Sequence, residues 1–481
     1  MAATEQIAEE LLLPIGNEWI RTDTMDTIRL PFDGSPVTKV SQGDPALVNR
    51  AVQAAREAAP IIAGWSNFER AELLDRIAGL IRRDHAAFAF LISQETGKPI
   101  AEARVEVDRS LQTLLASSIA ARELHGEAVP IDAAPIGAGR MAMTIREPLG
   151  VIGIITPFNV PLNLTLHKLG PALAGGNAVV HKPSEQTPLS ALRLAQIVRE
   201  AGAPPGTYNI VTGPGETVGK ALVQNDGIDM ITFTGSVETG KAIRAAAGLK
   251  KVTLELGGNS AVIIEPDADL DAAVTRVVQG GYGYSGQLCV SVQRVYVHEA
   301  VVSGFRSKLV AAVEKLRVGH PRDESTQIAS LISEEAARRV ESWTQEAADA
   351  GATVLTGGTR TNATISPGVL ADVPETSTFM RNELFGPMVA VNAYSSLDDA
   401  ITRVNATPFG LQAGIYTQHL QRAFQAARKL HFGGVLINDV PTFRADHMPY
   451  GGIKNSGLGR EGPKYAVEEM TELKLICWRV G

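Results

Sequence analysis

Apolar residues recur at helical spacing from about Pro45 to Glu123. In the stretches ALVNRAVQAAREAAPII and RAELLDRIAGLIRRDHAAFAFLI they stand three and four positions apart, which lines one face of an α-helix. The pattern therefore predicts a helical layer in the first part of the chain.

From Leu149 onward, short apolar runs alternate with helical segments. GVIGIIT, GNAVVHK, TYNIVTG and DMITFTG are typical of buried strands, and SALRLAQIVREAG between two of them has helical spacing. Strands that alternate with helices form a parallel sheet with crossover helices. This region therefore predicts a doubly wound α/β domain of the nucleotide-binding type.

A second series of the same kind runs from near Leu254 to about Asp446. Its strand-like runs are AVIIE, RVYVH, ATVLTG, MVAVNAYS, AGIYT and GVLIND, and helical stretches such as VVSGFRSKLVAAVEKL separate them. The two series are not recognisable repeats of each other. The sequence therefore predicts a second, different α/β unit.

Two further stretches predict a small β element. GEAVPIDAAPIGAGRMAMTIREP has two extended arms around a turn that contains Gly and Pro, and TELKLICWRV near the C-terminus alternates apolar and polar residues. An edge strand needs a partner. We expect the hairpin and the last strand to pair across subunits, which predicts an oligomer.

Length and charge narrow the class of protein. A chain of 481 residues exceeds the size at which one hydrophobic core keeps growing, so two or three domains are expected. With 44% hydrophobic and 20% charged residues, it has the composition of a folded globular protein. A net charge of -7 gives no basic field for nucleic acid or anionic lipid. A small-molecule ligand is the better expectation.

Cysteine usage indicates a reducing compartment. The two cysteines, Cys289 and Cys477, are too few for a disulfide framework, and no closely spaced Cys/His set predicts a metal site. The start MAATEQIAEELLLPIG lacks the basic flank and longer apolar segment of a signal peptide. No stretch approaches the ~18 apolar residues of a membrane span. We therefore predict a cytoplasmic protein without a bound metal.

A glycine turn between a strand and a helix is a candidate phosphate site. In DMITFTGSVETGKAI, Gly235 and Gly240 let a ligand approach the unpaired amides at a helix N-terminus. The spacing imitates a nucleotide-triphosphate loop, but Ala242 stands where that loop needs Ser or Thr for magnesium. VTGPGETVG, with Gly213 and Gly215, is a similar turn. Plain helix capping is the alternative for each turn taken alone.

The stretch VVHKPSEQTP follows another predicted strand and contains a candidate pair of charged ligands. Lys182 and Glu185 stand at the carboxyl edge of the predicted sheet, where an open α/β domain binds its ligand. An ammonium and a carboxylate there would suit the two hydroxyls of a ribose. The alternative is a solvated lysine beside a helix-capping glutamate.

Three further residues carry candidate chemistry. Glu255 lies within the apolar segment KVTLELGGNSAVII, where burial would raise its pKa toward that of a general base. Asn159 stands between two prolines in IITPFNVPLNL, which suits a fixed amide donor for an oxyanion, with an Asx turn as the alternative. Cys289 in SGQLCVSVQR is either a small core residue or a nucleophile. If the fold brings them together, the three form a set for covalent catalysis.

Eight motifs give a family resemblance. PFNVP, KPSE, FTGSVETG, LELGGN, GQLC, ELFGP, TPFGL and PYGGIKNSGLGREG occur in the order and at the spacing of the NAD(P)-dependent aldehyde dehydrogenase superfamily, which the chain resembles over nearly its whole length. The resemblance implies an α/β fold with a Rossmann-like NAD(P)-binding domain at 1–122 and 149–253 and a second α/β catalytic domain at 254–446. It also implies a small β oligomerisation element, with the hairpin at 123–148 and the C-terminal strand within 447–481, in a homodimer or homotetramer.

The resemblance assigns roles to individual residues. Cys289 resembles the nucleophile, Glu255 the general base, and Asn159 the side-chain oxyanion donor beside the backbone N–H of Cys289. Lys454 and Gly457 belong to the C-terminal motif. The implied cofactor contacts are Ile155, Thr156, Pro157, Lys182, Ser184, Glu185, Gly213, Gly215, Phe233, Thr234, Gly235, Ser236, Glu255, Leu256, Gly257, Glu383 and Phe385.

Within that set, the resemblance distinguishes three parts of the cofactor. Lys182 and Glu185 resemble the ligands of the adenosine ribose, Ser236 the pyrophosphate contact, and Glu383 with Phe385 the clamp on the nicotinamide end. A carboxylate on the ribose repels a 2′-phosphate, so Glu185 favours NAD, with NADP as the second candidate.

The activity implied is oxidation of an aldehyde to its carboxylic acid through a thiohemiacetal and a thioester on Cys289. Glu255 weighs against the branch that transfers its acyl group to coenzyme A, in which this acid is absent. A non-catalytic binding or structural member of the same fold is the alternative. The presence of Cys289, Glu255 and Asn159 together argues against it.

Four residues are candidate substrate contacts. Arg109 in EVDRS resembles an arginine of relatives that act on phosphorylated small aldehydes, but Val160 follows Asn159, and Leu288 precedes Cys289 where those relatives carry Arg. A doubly charged phosphate needs several donors. Arg444 either supplies one or forms a surface salt bridge. We therefore expect a small aldehyde that is hydroxylated or semialdehyde-like.

Overall fold

The strands and helices that the apolar pattern predicts are present in the predicted order. The computed structural model describes residues 7–480; residue 481 and the first six residues, part of the stretch without a signal-peptide pattern, lie outside the described residues. Within this range the α-helices are α1 (Pro45–Ala63), α2 (Asn67–Arg83), α3 (His85–Thr96), α4 (Ile100–Glu123), α5 (Pro161–Ala174), α6 (Leu189–Glu200), α7 (Lys220–Gln224), α8 (Val237–Ala246), α9 (Leu270–Tyr282), α10 (Val302–Val313), α11 (Glu334–Asp349), α12 (Thr378–Arg381), α13 (Leu397–Asn405), α14 (Leu420–Lys429) and α15 (Pro463–Glu469). The strands are β1 (Glu10–Leu11), β2 (Leu13–Ile15), β3 (Glu18–Ile20), β4 (Met25–Arg29), β5 (Pro36–Ser41), β6 (Ala128–Val129), β7 (Arg140–Pro148), β8 (Val151–Ile155), β9 (Ala178–Lys182), β10 (Tyr208–Ile210), β11 (Met230–Thr234), β12 (Lys251–Glu255), β13 (Ser260–Ile264), β14 (Val292–His298), β15 (Thr353–Thr356), β16 (Arg360–Thr361), β17 (Thr364–Ile365), β18 (Gly368–Ala371), β19 (Met388–Tyr394), β20 (Gln412–Tyr416), β21 (Gly434–Ile437), β22 (Gly457–Leu458) and β23 (Thr471–Arg479).

The first large sheet has the strand order β10-β9-β8-β11-β12-β22. Its first five strands are parallel, and β22 pairs antiparallel with β12, with Gly457 beside Glu255. Every residue of β8, β9 and β11 is buried, because helices cover both faces of a parallel sheet. The strand order reverses between β8 and β11, which is where an open sheet of this type binds its ligand.

The second large sheet has the order β15-β18-β19-β14-β13-β20-β21. All of its strands run parallel except β15 at the edge. The six strands predicted for this region are present, and β18 is an additional one that the sequence pattern did not predict. The prediction of two α/β sheets with crossover helices is thus confirmed.

The third sheet joins the predicted hairpin to the C-terminal strand. β23 pairs antiparallel with β7 in nine residue pairs, from Thr471 beside Pro148 to Arg479 beside Arg140. β6 lies on the other side of β7. The last strand therefore has a partner within its own chain, and pairing across subunits stays a prediction.

The predicted helical layer consists of α1 to α4. Leu73, Ile77 and Ile81 of α2, spaced by four, are fully buried in the same apolar cluster as Ile154 of β8, which explains the helical spacing of apolar residues. Helix α4 packs against α2 and α5. It thereby reaches the loops that carry the candidate site. The short strands β1 to β5 before this layer were not predicted.

Candidate active site

Cys289 lies in the loop between α9 and β14, which is held in an uncommon backbone conformation. Tyr284 and Ser285 have φ angles of 45° and 53°, left-handed values that cost a non-glycine residue about 1–3 kcal/mol. The backbone N–H of Tyr284 donates to the Glu102 carboxylate at 2.6 Å, and the Ser285 hydroxyl donates to the Ala329 carbonyl at 3.0 Å. These contacts fix the loop that positions the thiol.

The thiol of Cys289 contacts a phenol. Its Sγ lies 3.1 Å from the Oη of Tyr450, and both residues pack in a small apolar cluster with Val290 and Leu411. Burial raises the pKa of the Cys289 thiol to about 12, and the hydrogen bond with Tyr450 opposes that rise. The resting side chain is therefore a neutral thiol, which must lose its proton before it can attack a carbonyl.

Glu255 ends β12 and is 3% exposed. Neither of its carboxyl oxygens has a hydrogen-bond partner within residues 7–480, which is rare for a buried acid. Burial, with the charge of Glu461, raises the pKa of Glu255 well above its ordinary value. A Cβ at Gly451 would come within 2.8 Å of Oε1, so the glycine leaves room for the carboxyl group. These properties suit a general base.

Consecutive residues of one segment border both Cys289 and Glu255. Tyr450 contacts the sulfur, and Gly451 borders the Glu255 carboxyl group. Gly258, in the turn after β12, packs against the loop of the thiol, since a Cβ on it would lie 2.2 Å from the Cys289 carbonyl oxygen. The structure therefore brings the predicted nucleophile and the predicted base together.

A buried group of charges lies next to Glu255. Glu461 accepts hydrogen bonds from Lys168 at 2.6 Å and from Arg444 at 2.9 Å, and all three side chains are 8% exposed or less. Burial opposes ionisation of Glu461, but Lys168 and then Arg444 hold its pKa below the ordinary value. Glu461 is therefore ionised at neutral pH, and its charge helps to keep a proton on Glu255.

Asn159 lies in the loop that leads into α5. Its Nδ2 donates to the Gln287 carbonyl at 2.8 Å, in the loop that carries Cys289. A side-chain amide has two hydrogens, so this bond orients the group and leaves one hydrogen for another acceptor. The Glu106 carboxylate of α4 accepts from the Leu162 N–H at 2.9 Å, which fixes the start of α5. The third predicted catalytic residue thus also meets the Cys289 loop.

Lys182, Glu185 and Gly215 meet at the carboxyl edge of the first sheet. Lys182 ends β9, and its Nζ lies 3.6 Å from the Glu185 carboxylate, which accepts a hydrogen bond from the Gly215 N–H at 3.0 Å. Burial lowers the pKa of Lys182, and Glu185 opposes this. An ammonium and a carboxylate beside a backbone turn offer both donors and acceptors to ribose hydroxyls.

The turn after β11 starts α8. Ser236 is the N-cap, and its Oγ accepts a hydrogen bond from the Thr239 N–H at 3.2 Å, as the capping interpretation expects. The Oγ1 of Thr234 is buried without a partner within residues 7–480. A Cβ at Gly240 would meet the Leu256 side chain at 2.5 Å, so this glycine lets α8 pack closely. The remaining amides of the helix end fit a phosphate group.

Glu383 reaches the turn after β12. Its Oε1 accepts a hydrogen bond from the Gly258 N–H at 2.9 Å, and a Cβ at Gly257 would lie 2.6 Å from its Oε2. Burial raises the pKa of Glu383 to about 7. Phe385 has a φ of 55°, and its ring meets Phe158 edge to face with 5.9 Å between centroids. The loop with both predicted nicotinamide contacts therefore closes on the candidate site.

The other predicted cofactor contacts lie in or just beyond the ends of parallel strands, at the edge that binds ligands in open α/β sheets. The Gly235 N–H donates to the Glu255 carbonyl at 3.0 Å, which connects the turn after β11 to β12. The remaining residues are Ile155, Thr156 and Pro157 in or after β8, Ser184 after β9, Gly213 after β10, Phe233 in β11 and Leu256 after β12.

The four predicted substrate residues differ in their surroundings. Arg109 of α4 donates to the Asp446 carboxylate at 2.8 Å, and 35% of its side chain is exposed. Asp446 balances that charge. Val160 and Leu288 are partly buried and adjoin the catalytic candidates in the chain.

Arg444 is not on the surface, so its interpretation as a surface salt bridge is wrong. Its side chain is 8% exposed, because the guanidinium lies over the Tyr450 ring, 3.7 Å from the centroid, and binds Glu461. The Arg444 charge also lowers the pKa of Cys289, so the residue acts within the site.

Lys454 and Gly457 have structural contacts. The Nζ of Lys454 donates to the carbonyls of Asn405 and Thr407, both at 3.3 Å. Gly457 lies beside β12, where a Cβ would come within 2.5 Å of the Leu254 carbonyl oxygen. The C-terminal motif thus holds the segment that supplies Tyr450 and Glu461 against the first sheet.

Sequence reasoning missed three residues of the site, Tyr450, Glu461 and Lys168. The first two stand inside the motif PYGGIKNSGLGREG, in which the resemblance singled out only Lys454 and Gly457. Lys168 had a signal of its own. It is a lysine within NLTLHKLGPALA, in a helix whose residues are all buried, and a buried lysine requires a partner.

Among residues 7–480, no group of three or more His, Cys, Asp or Glu side chains could hold a metal ion. No helix in that range is long and apolar enough to cross a membrane.

The fold and the site define a dinucleotide-binding α/β protein with a cysteine beside a buried carboxyl group. The chain belongs to the aldehyde dehydrogenase family, whose model matches residues 19–476. It is therefore an oxidoreductase, with NAD(P) as its cofactor, and the non-catalytic alternative is set aside.

Three comparisons illustrate the relationship. The chain is 45% identical over 464 residues to 3-sulfolactaldehyde dehydrogenase of Priestia aryabhattai, which covers 96% of this chain and 97% of the relative. The crystal structure of aldehyde dehydrogenase 21 from Physcomitrella patens, in complex with the reaction product succinate, has a TM-score of 0.96 and 36% identity, covering 98% of this chain and 99% of that one. The NADP-dependent glyceraldehyde-3-phosphate dehydrogenase from Bacillus halodurans C-125, complexed with NADP, has a TM-score of 0.96 and 34% identity, covering 98% and 100%.

Proposed function

We propose that the protein oxidises a small aldehyde to its carboxylic acid by covalent catalysis at Cys289. The observation that carries this proposal is the meeting of three groups: a thiol, a buried carboxyl group without a hydrogen-bond partner, and an amide oriented by the thiol's own loop. Covalent catalysis needs a nucleophile, a base and an oxyanion donor around one carbon. Cys289, Glu255 and Asn159 supply these three.

In the first half-reaction the Cys289 thiolate adds to the aldehyde carbon. The carbonyl oxygen becomes an oxyanion, which accepts hydrogen bonds from the second hydrogen of Asn159 Nδ2 and from the backbone N–H of Cys289. Donors that are held in place before the reaction need not reorganise when the charge forms, and one such donor is worth ~10²–10³ in rate. The product of this step is a thiohemiacetal on Cys289.

In the proposed mechanism, residues at the carboxyl edge of the first sheet would hold the cofactor. Lys182 and Glu185 would hold the adenosine ribose, Ser236 and the start of α8 the pyrophosphate, and Glu383 with Phe385 the nicotinamide end. When bound, NAD(P)+ supplies the acceptor for the hydride that leaves the thiohemiacetal carbon. That carbon is then the carbonyl of a thioester on Cys289.

In the second half-reaction Glu255 takes a proton from a water molecule that attacks the thioester. The same two donors hold the second oxyanion, and its collapse releases the carboxylic acid and the Cys289 thiolate. Because the pKa of Glu255 is raised, its basic form becomes more populated as the pH increases. Hydrolysis of the thioester is therefore expected to accelerate with pH until Glu255 is fully ionised.

The surroundings of the arginines favour a substrate with a single negative charge or a hydroxyl group. Arg109 is paired with Asp446, and Arg444 is engaged with Glu461, so neither offers the several free donors that a phosphate requires. Two of the similar proteins are named for 3-sulfolactaldehyde and glyceraldehyde 3-phosphate, and a third is described with succinate. We propose a small hydroxylated aldehyde or a semialdehyde.

Cofactor reduction with a set of aldehydes tests this substrate class. The set consists of lactaldehyde, succinic semialdehyde, glyceraldehyde 3-phosphate, propanal and benzaldehyde. We expect kcat/KM for lactaldehyde and succinic semialdehyde to exceed that for benzaldehyde at least about tenfold. Small differences in how a substrate fits its pocket change kcat/KM by ~10–200-fold. Arg109→Leu should lower kcat/KM for succinic semialdehyde about tenfold or more, because hydrogen bonds to charged groups are the strong ones.

Arg104→Leu is the matched control, because Arg104 lies on the same helix but pairs with exposed Glu324. Propanal, which has no charged end, should be oxidised equally by the wild type and by Arg109→Leu. A preference for benzaldehyde, or an equal effect of Arg109→Leu on propanal, would contradict the proposed substrate class.

Glu185 leads to a prediction about the cofactor. Its carboxylate lies beside Lys182 and Gly215, where a 2′-phosphate would bring like charges together. Contacts between like charges cost several kcal/mol of binding free energy, and each 1.4 kcal/mol changes the affinity tenfold. We therefore expect kcat/KM to be at least about tenfold higher with NAD than with NADP. Glu185→Gln should narrow this ratio in initial-rate measurements. Equal efficiency of the wild type with both cofactors would reject the preference.

We also propose the assembly and location of the protein. Residues 123–148 and 447–481 are proposed as the oligomerisation element of a homodimer or homotetramer, beside an NAD(P)-binding domain at 1–122 with 149–253 and a catalytic domain at 254–446. The sheet of β6, β7 and β23 supports this, since it exposes the apolar side chains of Met141, Met143, Leu473, Leu475 and Trp478. Both cysteines are unpaired, which suits the reducing cytoplasm.

A further inference from the structure

The thiol of Cys289 has a hydrogen-bonding neighbour to which no role has been assigned so far. The Oη of Tyr450 lies 3.1 Å from Sγ, and the tyrosine is 3% exposed. Its backbone is fixed by a two-way bridge to Glu461, with N–H to carbonyl distances of 3.0 Å and 2.7 Å. The phenol is therefore held in place against the sulfur and is not a mobile surface group.

A cation lies on the face of the same ring. The Arg444 guanidinium carbon is 3.7 Å from the ring centroid, and Arg444 is itself bound to Glu461, which Lys168 holds from the other side. A cation over an aromatic face is attracted to the ring. Its positive charge also withdraws electron density from the phenol, which makes the hydroxyl a better hydrogen-bond donor.

We propose that Tyr450 is a further catalytic residue, which donates its phenolic hydrogen to the sulfur of Cys289 and stabilises the thiolate, while Arg444 positions and polarises the phenol. The proposal rests on the proposed function in one respect, since it takes Cys289 as the nucleophile. When the thiolate forms, the thiol proton passes to water. Tyr450 keeps its own proton and shares it with the sulfur in the hydrogen bond.

The chemistry of the two groups gives this contact its direction. A thiol both donates and accepts weakly, but a thiolate accepts only, so in the charged state Tyr450 must be the donor. A hydrogen bond to the charged form favours that form. Tyr450 thus counteracts the burial that keeps the thiol neutral.

Four neighbours affect the ionisation of Cys289 besides burial. Tyr450 and Arg444 favour the thiolate, whereas Glu383 and Glu255 disfavour it. Without the Tyr450 hydroxyl, Arg444 is the one of these four neighbours that still favours the thiolate. Tyr450→Phe removes one oxygen and keeps the ring that fills the apolar cluster.

Alkylation of Cys289 by iodoacetamide measures this effect without any aldehyde or cofactor. The rate at Cys289 is followed by mass spectrometry of the peptide between about pH 7 and pH 10, and Tyr450→Phe should react about three- to tenfold more slowly than the wild type. The loss of a hydrogen bond to the thiolate raises the thiol pKa by about one to two units, so a smaller fraction of the thiol is ionised at a given pH. A more basic thiolate is also a better nucleophile, and this offsets roughly half of the expected decrease in log rate.

Two controls separate this role from a structural one. Cys477 is exposed on β23, so its alkylation in the same sample should be unchanged. Tyr416→Phe is the matched variant, because the buried hydroxyl of Tyr416 has no hydrogen-bond partner within residues 7–480; it should alkylate at Cys289 like the wild type. Thermal unfolding monitored by circular dichroism checks that both variants are folded.

Steady-state kinetics give an independent readout. At neutral pH, Tyr450→Phe should lower kcat/KM for the aldehyde about three- to tenfold, with recovery as the pH rises and more thiolate forms, while the Kd for NAD stays the same. A folded Tyr450→Phe variant with an unchanged alkylation profile would overturn the proposal. If the wild type oxidises no aldehyde but the alkylation profile still shifts, the proposed function fails and the role of Tyr450 toward the sulfur stands.

Discussion

Cys289→Ala should lower kcat for aldehyde oxidation by at least about 10⁴-fold, since removal of the nucleophile from a covalent mechanism removes the whole path. No other described thiol can substitute for it, because Cys477 lies exposed on β23, in a different sheet. Binding of NAD should be largely unchanged. The proposed contacts of the cofactor come from the ends of β8 to β12 and from Glu383, and the sulfur is not among them. Initial rates of cofactor reduction and the quenching of protein fluorescence by NAD measure the two quantities.

The matched control for this substitution is Cys477→Ala, which should retain wild-type kcat and KM. Trapping provides a second check, because incubation of the wild type with NAD and a slow aldehyde should add the acyl mass to the peptide that contains Cys289. Undiminished oxidation by Cys289→Ala would refute covalent catalysis at this position. Loss of both NAD binding and oxidation would instead indicate that the substitution disturbs the loop.

The two large sheets could be predicted from the sequence because their central strands are buried on both faces. Runs such as VIGII and AVVHK are therefore continuously apolar and stand out from their surroundings. β22 could not be found in this way. It consists of two residues that add to the edge of β12, and such a short pairing leaves no periodic pattern in the chain. The pairing of β23 with β7 could not be predicted for a related reason, since alternation shows that a strand needs a partner but not where the partner lies.

The site was predictable only in part. Glu255 could be recognised as a buried acid from its apolar neighbours, and family resemblance linked it to Cys289 and Asn159. The contact of Cys289 with Tyr450 joins positions 161 residues apart, and no local pattern encodes it. The position of Arg444 could not be predicted for the same reason. A charged residue in a loop is usually exposed, and the sequence does not show that this guanidinium lies over the Tyr450 ring.

Glu255→Gln should give a burst of reduced cofactor close to one per subunit, followed by a steady rate about 10²–10⁴-fold below that of the wild type, as expected for loss of a general base. The substitution preserves size and leaves Asn159, the Cys289 N–H and Tyr450 in place, so addition to the aldehyde and hydride loss can proceed once. Hydrolysis then stalls, because an amide cannot take a proton from water. Rapid-mixing absorbance at the wavelength of the reduced nicotinamide measures both phases.

The stalled species and the pH profile distinguish this role from a general defect. Mass spectrometry of Glu255→Gln after one turnover should show the acyl group on Cys289, and the steady rate should lose the rise with pH that the raised pKa of Glu255 gives the wild type. Glu299→Gln, at an exposed turn after β14, is the control and should behave like the wild type. Steady turnover of Glu255→Gln at the wild-type rate would remove Glu255 from the hydrolytic step. A variant with neither burst nor adduct would instead place the carboxyl group earlier, as the base that takes the proton from the Cys289 thiol.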